Sequence, residues 1–500
     1  MLRSSIFDKK LFSKVFVFTY LIAFSLFICL LSRQNAFTSR VPYNDSSVFM
    51  TIAKGMMNGK VPYLDFFDHK GPFLYFLNYC GYSMGGIHGV WIIELIALTI
   101  AVFFTYLSVK NLFGRIVALL STTVGCLLLR LCFEGGNLTE EYVLPLICIA
   151  LYIFISIIQS ENSSAWQAII LGFTFGLSLM LRPNMFSVWF IFSAYWVLNC
   201  LYRKKYSAAF RYVLFFGIGV LIGVLPFIIY LLRNHAFRDY IYQNFTFNSQ
   251  YATHNGLKSI LVNAFDVTYS LSYTIVLSLV SCVVGFFTQK KNKQTVFILL
   301  FLSTVLSVLF VSVSQYIFGH YYIVFIPLIA VSLSVLISLF RSIVIKYGLC
   351  DLYSDILIVV IVFGVTLNSF YNIRCDIINS FATKQPNDEV ITVIEKLDVF
   401  ADKNDSIQVL ENNCWFYLYS DLKPANKFIY DLPIADISTD VHKQFVEAWM
   451  ENSPTYVIAP QHYMESISEH NKWVIEQLKN QYMEIYKTEN YILYGAIKHE

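Results

Sequence analysis

The sequence predicts an all-α polytopic membrane domain with about eleven transmembrane helices, followed by a small extracytoplasmic C-terminal α/β domain. Of the 500 residues, 57% are hydrophobic and only 14% are charged, and the mean hydropathy is +0.57. Soluble domains carry about 25% charged residues, so this chain has too few charges to cover a surface in water. Apolar runs of roughly 18 to 20 residues recur between Lys14 and Tyr371, and each can cross about 30 Å of hydrocarbon as a helix.

The individual spans follow from these apolar runs. The segment 73–84 is also apolar, but at about 12 residues it fits an interfacial or re-entrant helix better than a full crossing. The predicted spans are residues 14–31, 89–109, 116–133, 142–158, 166–181, 186–201, 212–232, 260–287, 295–314, 321–340 and 356–371.

The basic residues of the loops orient these spans. Cytoplasmic loops of membrane proteins are enriched in Lys and Arg. With the N-terminus in the cytoplasm, most basic clusters fall on the inner side, including Lys204 with Lys205 and Lys290 with Lys291. The number of spans is then odd, and the C-terminal part lies outside. We therefore expect a multi-pass protein of the cell membrane.

Charge marks the boundary between two predicted domains. From Gln385 onward the chain has 19 acidic residues and 9 lysines, whereas the remainder has 27 basic and 14 acidic residues. We predict a multi-span domain over residues 1–371, with a first outer loop at 33–72, and an extracytoplasmic α/β domain over 372–500. In the latter, periodicity and β-branched runs predict helices at 389–400 and 466–481, strands at 406–410 and 455–459, and a hairpin of 482–486 with 491–494.

Asp45 is the first candidate for chemistry. It precedes a helix-like run at 46–57, where it could cap the helix. Alternatively, a carboxylate where the loop meets the membrane can act as a general base or orient a cation. The sequence leaves both interpretations open.

A compact polar cluster ends the same loop, where Asp65, Asp68 and His69, which are candidates for substrate binding, precede Lys70. A partly dehydrated phosphate attracts an ammonium strongly, so Lys70 could bind an anionic headgroup. It also fits an ordinary interfacial lysine whose ammonium reaches towards water.

Three further outer segments carry polar residues next to predicted spans. Glu140 and Glu141 begin a span, where they suit the helix dipole or could share a cation or substrate hydroxyls. Arg182 lies in an Arg-Pro-Asn turn and stays charged at membrane depth, so it could pair with an anion. Tyr316 and His320 belong to a Tyr-rich segment typical of the interfacial belt, and both are candidates for substrate contact.

The order of these motifs resembles the GT-C superfamily of lipid-carrier-dependent glycosyltransferases, in particular the protein mannosyltransferases and the aminoarabinose transferases (glycosyltransferase family 39-like). The resemblance covers about the first 370 residues. It implies that Asp45 is the first-loop acid near the catalytic centre, that Lys70 binds the lipid-carrier phosphate, and that Glu140 or Glu141 is the second-loop acid. The sequence departs from the family where Ser46 follows Asp45 and where Gly71 follows Lys70.

The resemblance implies an enzyme that moves a sugar from a polyprenyl-phosphate donor to a cell-envelope glycan, lipid or protein acceptor on the outer face. The mechanism would be an inverting displacement, with Arg182 joining Lys70 at the donor phosphate. A divalent cation, Mg²⁺ or Mn²⁺, stays open, with Asp45 as its ligand if it is present.

A transporter or flippase of lipid-linked saccharides would place polar residues at the bilayer midplane, whereas here they crowd the outer loops. A polymerase or ligase that uses the same donors is left open. No basic run interleaves with aromatic residues as in nucleic-acid-binding surfaces. The Lys-, Ile-, Phe- and Tyr-rich composition points to a bacterial source.

Overall fold

The computed structural model describes residues 2–38, 41–249, 256–314, 317–382, 388–430, 438–466 and 468–497. The helices are, in chain order, α1 (Leu2–Cys29), α2 (Asn44–Met57), α3 (Pro72–Phe113), α4 (Arg115–Leu127), α5 (Thr139–Ser160), α6 (Ala165–Leu179), α7 (Ser187–Tyr202), α8 (Tyr206–Arg233), α9 (Phe237–Ile241), α10 (Leu257–Tyr269), α11 (Thr274–Thr288), α12 (Lys291–Ser312), α13 (Phe325–Lys346), α14 (Asp351–Ala382), α15 (Asp388–Phe400), α16 (Trp415–Tyr419), α17 (Thr439–Glu451) and α18 (Glu469–Gln481). The strands are β1 (Ser406–Val409), β2 (Lys423–Pro424), β3 (Tyr456–Pro460), β4 (Tyr482–Lys487) and β5 (Tyr491–Ala496).

The chain divides into two compact units. The first unit comprises Met1–Asn35, Trp91–Phe227 and Asn255–Asn379. The second unit comprises Ala36–Val90, Ile228–His254 and Ser380–Glu500, so the first loop belongs to the same unit as the C-terminal residues.

The described residues contain six helices that are long and apolar enough to cross a membrane, as expected of a multi-pass membrane protein. They are α3, α5, α8, α12, the segment Gly319–Lys346 and α14. Three shorter apolar helices, Lys14–Cys29, α6 and α7, occupy further predicted spans. The prediction of eleven spans is not confirmed.

The predicted span 260–287 shows one reason why the described helices do not match the eleven predicted spans. It consists of α10 and α11, which are bent by 82° at the break between them. Leu271, Ser272 and Tyr273 have φ values of 51°, 54° and 63°. Left-handed residues cannot continue a right-handed helix, and apolarity alone does not reveal them.

The backbone of α3 is also interrupted. Gly86 has φ 60° and ψ −139°, so the helix breaks after Met84. Beyond the break the chain returns close to Gly81, where a Cβ atom would lie 2.7 Å from the Cα atom of Val90. The predicted separation of 73–84 from the following span is confirmed, while its place at the membrane interface stays a prediction.

In the first unit, α6 and α8 pack through glycines. A Cβ atom on Gly176 would lie 3.3 Å from the Cα atom of Val220, and one on Gly223 would lie 2.8 Å from the Phe173 carbonyl oxygen. Small residues four apart let two helix backbones approach closely, which favours packing between membrane helices.

In the second unit, the five strands form one sheet in the order β2-β1-β3-β5-β4. Strand β1 is parallel to β2 and β3, whereas β5 is antiparallel to β3 and β4. The core of this unit includes Trp449, Val457 and Leu478 together with Phe67 of the first loop, whose ring stacks on Phe428 at 5.2 Å. The predicted helices and strands of the C-terminal part are confirmed to within three residues, but α16, α17 and β2 were not predicted.

Candidate functional site

A left-handed turn positions the acids of the first unit. Residues 134–137 have φ values of 44°, 91°, 83° and 56°, which non-glycine residues adopt rarely. The Asn137 amide donates to the Glu94 carboxylate at 2.5 Å, and the Tyr142 hydroxyl donates to the Asn137 side-chain oxygen at 2.7 Å. These bonds hold a backbone conformation that is unfavourable by itself, and α5 begins immediately after the turn.

His320 lies between two carboxylates of this segment. Its Nδ1 donates to Glu134 Oε2 at 2.5 Å, and its Nε2 lies 3.8 Å from Glu140 Oε1. Burial would raise the pKa of Glu134, but the hydrogen bonds from His320 and Gly319 and the charge on His320 hold it below its ordinary value. His320 is 7% exposed and Glu140 is 2% exposed, so these charges interact with little screening by water.

Arg182 completes this buried chain of charges. It follows α6 in the predicted turn, and its guanidinium forms an ion pair with Glu140. The same group lies 4.1 Å from the centre of the Tyr321 ring, and its Nε donates to Asn184 Oδ1 at 3.1 Å. Arg182, Asn184 and Tyr321 line a small cavity of about 20 Å³ together with Ser307. The turn therefore holds a cation at the wall of a cavity.

Glu141 belongs to a different cluster from Glu140. Its carboxyl group lies beside that of Glu94, which accepts from Ser32 Oγ at 3.0 Å. Two carboxyl groups can share a hydrogen bond only when a proton lies between them. Adjacent acids of α5 thus face different partners, and Glu140 is the one beside Arg182 and His320.

The structure therefore brings three of the predicted residues of the first unit together, Glu140, Arg182 and His320. Tyr316 lies outside the described residues. Sequence reasoning missed Glu134 and Glu94. An acid within an apolar span is by default a functional candidate, and that signal could have identified Glu94.

In the second unit, Asp45 lies in the first turn of α2, which begins at Asn44. The interpretation of Asp45 as the N-cap is wrong, because Tyr43 holds that position and makes no side-chain capping bond. Within the described part of the chain, no hydrogen bond or ion pair engages the Asp45 carboxylate. It is partly exposed. Burial raises the pKa of the nearby Tyr430 hydroxyl, and the charges of Asp68 and Asp45 raise it further.

Asp68 is buried, and both oxygens of its carboxylate accept hydrogen bonds. It accepts hydrogen bonds from the Tyr75 hydroxyl at 2.7 Å, the Tyr430 hydroxyl at 2.9 Å and the His69 amide at 2.8 Å. Burial raises the pKa of Asp68, although the nearby Lys70 ammonium and these three donors oppose the shift. This carboxylate ties the first loop to α3 and to the C-terminal residues of the same unit.

Lys70 and His69 form a pair next to Asp68. Lys70 Nζ donates to His69 Nε2 at 2.7 Å, while Asn244 and Asn248 donate to the His69 carbonyl oxygen at 3.0 and 3.1 Å. Among the described residues no acid lies within ion-pair distance of Lys70. An ammonium held in place without an ion pair is suited to bind an anion.

Asp65 has partners of its own. It accepts from Lys60 Nζ at 2.9 Å and from the Val61 amide at 2.7 Å. These two bonds close a short turn of the loop, which is a sufficient structural role for this residue.

The described residues contain no group of three or more His, Cys, Asp or Glu side chains arranged to hold a metal ion. A divalent cation with Asp45 as a ligand stays a prediction.

Solved structures of two membrane glycosyltransferases are similar to this chain. ArnT, the aminoarabinose transferase of Cupriavidus metallidurans, bound to undecaprenyl phosphate, matches with a TM-score of 0.62 and 11% identity over 96% of this chain and 98% of that chain. The Archaeoglobus fulgidus oligosaccharyltransferase tethered with an acceptor peptide matches with a TM-score of 0.52 and 13% identity over 96% and 74%. The same oligosaccharyltransferase in complex with Zn and sulfate matches with a TM-score of 0.50 and 14% identity over 95% and 73%.

These likenesses show the fold of the chain, which is the GT-C fold that ArnT and the oligosaccharyltransferase share. By sequence, residues 8–346 match the family "Putative competence-induced protein Ccs4 N-terminal domain", and the chain belongs to that family. A comparison of the sequence with curated proteins finds no match.

Proposed function

We propose that the protein is a glycosyltransferase that moves a sugar from a polyprenyl-phosphate donor to a cell-envelope glycan, lipid or protein acceptor on the outer face of the membrane. The observation that carries the proposal is the match, over nearly the whole of both chains, to a transferase bound to undecaprenyl phosphate. A fold of this kind positions loops beside a lipid carrier, and the chemistry depends on the residues of those loops.

The contacts within the second unit support separate roles for its three aspartates. Asp65 and Asp68 are engaged by hydrogen bonds and Lys60, whereas the Asp45 carboxylate has no such partner among the described residues. A general base must be available to the proton that it removes. Asp45 therefore accepts the proton of the acceptor hydroxyl.

The reaction is a single displacement. As Asp45 takes the proton, the acceptor oxygen forms a bond to the anomeric carbon while the bond from that carbon to the phosphate oxygen breaks. The electron pair leaves with the polyprenyl phosphate, and the configuration at the anomeric carbon inverts. Lys70 stabilises the negative charge that develops on the departing phosphate, which is the type of interaction with the largest effect in such sites.

Arg182 is the cation of the first unit, and we assign it to an anionic group of a substrate. Its ion pair with Glu140 and its contact with the Tyr321 ring restrict its side chain, so little conformational entropy is lost when it binds an anion. Glu140 and His320 are positioning residues for Arg182 in this assignment.

Transfer by the purified full chain in detergent tests the proposal. The probes are radiolabelled undecaprenyl-phosphate sugars with envelope glycan, lipid and peptide acceptors. We expect wild-type protein to transfer sugar, and we expect Asp45→Asn and Lys70→Gln each to reduce the rate by about 100-fold or more. Asp398→Asn and Lys472→Gln, exposed helix residues of the same unit, serve as matched controls that keep the rate.

The outcomes separate the competing functions. Wild-type rates in both Asp45→Asn and Lys70→Gln would show that the roles are assigned to the wrong residues. If wild-type protein transfers no sugar from any donor but moves lipid-linked saccharide across liposomes, the protein is a transporter and the proposal fails. Products that grow by repeated addition of whole oligosaccharides would indicate a polymerase or ligase instead.

A further inference from the structure

A second cavity of the first unit lies far from Glu140 and Arg182. It has a volume of about 360 Å³ and is lined by residues of the turns after α5 and α7 and of the adjoining ends of α6, α7 and α8. Glu140 is at the start of α5, whereas this cavity is beyond its end. A helix of 22 residues is about 33 Å long, so the cavity is at the opposite end of these helices.

The wall of this cavity is positively charged. Arg203, Lys205 and Arg211 line it, and Glu161 is its one acidic lining residue. Arg203 Nη1 binds Glu161 Oε2 at 2.6 Å, so these two charges neutralise each other. Lys205 and Arg211 are exposed and have no ion-pair partner in the described part of the chain. Two cations are therefore available to a ligand.

Two further groups of the same wall favour an anion. Trp196 is 5% exposed and lines the cavity, and its indole N–H has no hydrogen-bond partner among the described residues. A buried donor without a partner is unfavourable, and a bound oxygen would satisfy it. Ser164, also in the wall, caps the N-terminus of α6, where the helix dipole favours negative charge.

Exposed aromatic residues locate this end of the helices at a membrane surface. Trp166 is 73% exposed, Tyr202 is 87% exposed and Tyr206 is 63% exposed, all beside the cavity in sequence. Tyr and Trp collect at the boundary between hydrocarbon and water, at the depth of lipid headgroups. The lining also includes Phe215, which is partly exposed and offers an apolar surface to the adjoining part of a lipid.

We infer that this cavity binds the phosphate group of an anionic phospholipid. Lys205 and Arg211 pair with the phosphate, the Trp196 indole donates to one of its oxygens, and the lipid tails lie along the apolar faces of the helices. The site is separate from the proposed transfer reaction, and it would hold a lipid of the leaflet opposite to the acceptor. Basic pockets between helix ends recognise anionic headgroups through the same chemistry.

Native mass spectrometry of the full chain in detergent tests this inference. The probes are phosphatidylglycerol, phosphatidylcholine and inorganic phosphate. We expect phosphatidylglycerol to bind more tightly than phosphatidylcholine. Lys205→Gln with Arg211→Gln should weaken its binding by roughly 30-fold, because each interfacial cation contributes about fivefold. Trp196→Phe, which keeps the ring and removes the N–H, should weaken binding by about fivefold.

The control is the double variant Lys204→Gln with Lys290→Gln, which removes two basic residues outside the cavity wall and should leave the affinity unchanged. If this control loses as much affinity for phosphatidylglycerol, the effect comes from general surface charge and the proposed site is wrong. Equal binding of phosphatidylglycerol and phosphatidylcholine would also overturn it. If inorganic phosphate displaces phosphatidylglycerol at equal phosphate concentration, the ligand is a free phosphate and the lipid assignment fails.

Discussion

The Glu140 carboxylate forms an ion pair with the Arg182 guanidinium, joining the start of α5 to the turn that follows α6. Glu140 is almost completely buried, and 18% of the Arg182 side chain is exposed at the cavity. Desolvation offsets most of the attraction in such a pair, so its main effect is to fix position rather than to add stability. Removing one partner has a much larger effect, because the other charge is then buried alone.

A double-mutant cycle on this pair should therefore show strong coupling. We expect Glu140→Gln and Arg182→Gln each to lower the free energy of unfolding by about 3 kcal/mol. The loss of unfolding free energy in the double variant should be smaller, by at least about 1 kcal/mol, than the sum of the losses in the two single variants. Denaturant titration of the purified protein in detergent measures these values. Strict additivity would show that the two groups do not interact in the folded protein.

The pair of Glu134 and His320 predicts a pH dependence of stability. The pKa of Glu134 is lowered from its ordinary value of 4.5, so between the two values the unfolded chain binds more protons than the folded chain. The stabilisation from Glu134 is thus present above pH 4.5 and is lost as the pH falls through the folded pKa. The difference in unfolding free energy between wild type and Glu134→Gln should shrink as the pH is lowered from about 6 to about 3.5.

His320→Gln provides the control for that experiment. Because the hydrogen bond and charge of His320 help to lower the pKa of Glu134, the same comparison in a His320→Gln background should depend less on pH. An identical pH dependence in both backgrounds would contradict the assigned cause.

Much of the membrane fold was predictable because the length and apolarity of a span are properties of the sequence itself. The break between α10 and α11 was not, since it depends on the left-handed φ values of Leu271, Ser272 and Tyr273, which no residue type there requires. The short strand β2 was missed for a similar reason. Lys423 and Pro424 pair with β1 only because the tertiary structure brings them together.

The candidate site was predictable at the level of segments. Loop position identified Glu140, Arg182 and His320, yet it could not decide between Glu140 and Glu141. Adjacent helix residues point about 100° apart, so the partners of each depend on the packing of other helices. Glu141 faces the carboxyl group of Glu94, which belongs to α3, a helix that is distant in sequence.

The carboxyl pair of Glu94 and Glu141 predicts different effects for two substitutions. Glu141→Gln keeps a hydrogen-bond donor for Glu94, so the free energy of unfolding should change by less than about 1 kcal/mol. Glu141→Leu leaves the buried Glu94 carboxyl without this partner and should lower the value by about 2 kcal/mol or more. Thermal and denaturant unfolding in detergent measure both. Equal effects of the two variants would show that the shared hydrogen bond is absent.

The glycine contact between α6 and α8 gives a test with a control on the same pair of helices. A Cβ atom on Gly172 would collide with the Phe216 carbonyl oxygen, whereas one on Gly217 would meet nothing within 4 Å. We expect Gly172→Leu to force the helices apart and to lower the free energy of unfolding by about 3 kcal/mol. Gly217→Leu should keep the wild-type value within about 0.5 kcal/mol, because its side chain enters open space and leucine favours the helix. Similar losses in both variants would indicate a general intolerance of leucine rather than close packing at Gly172.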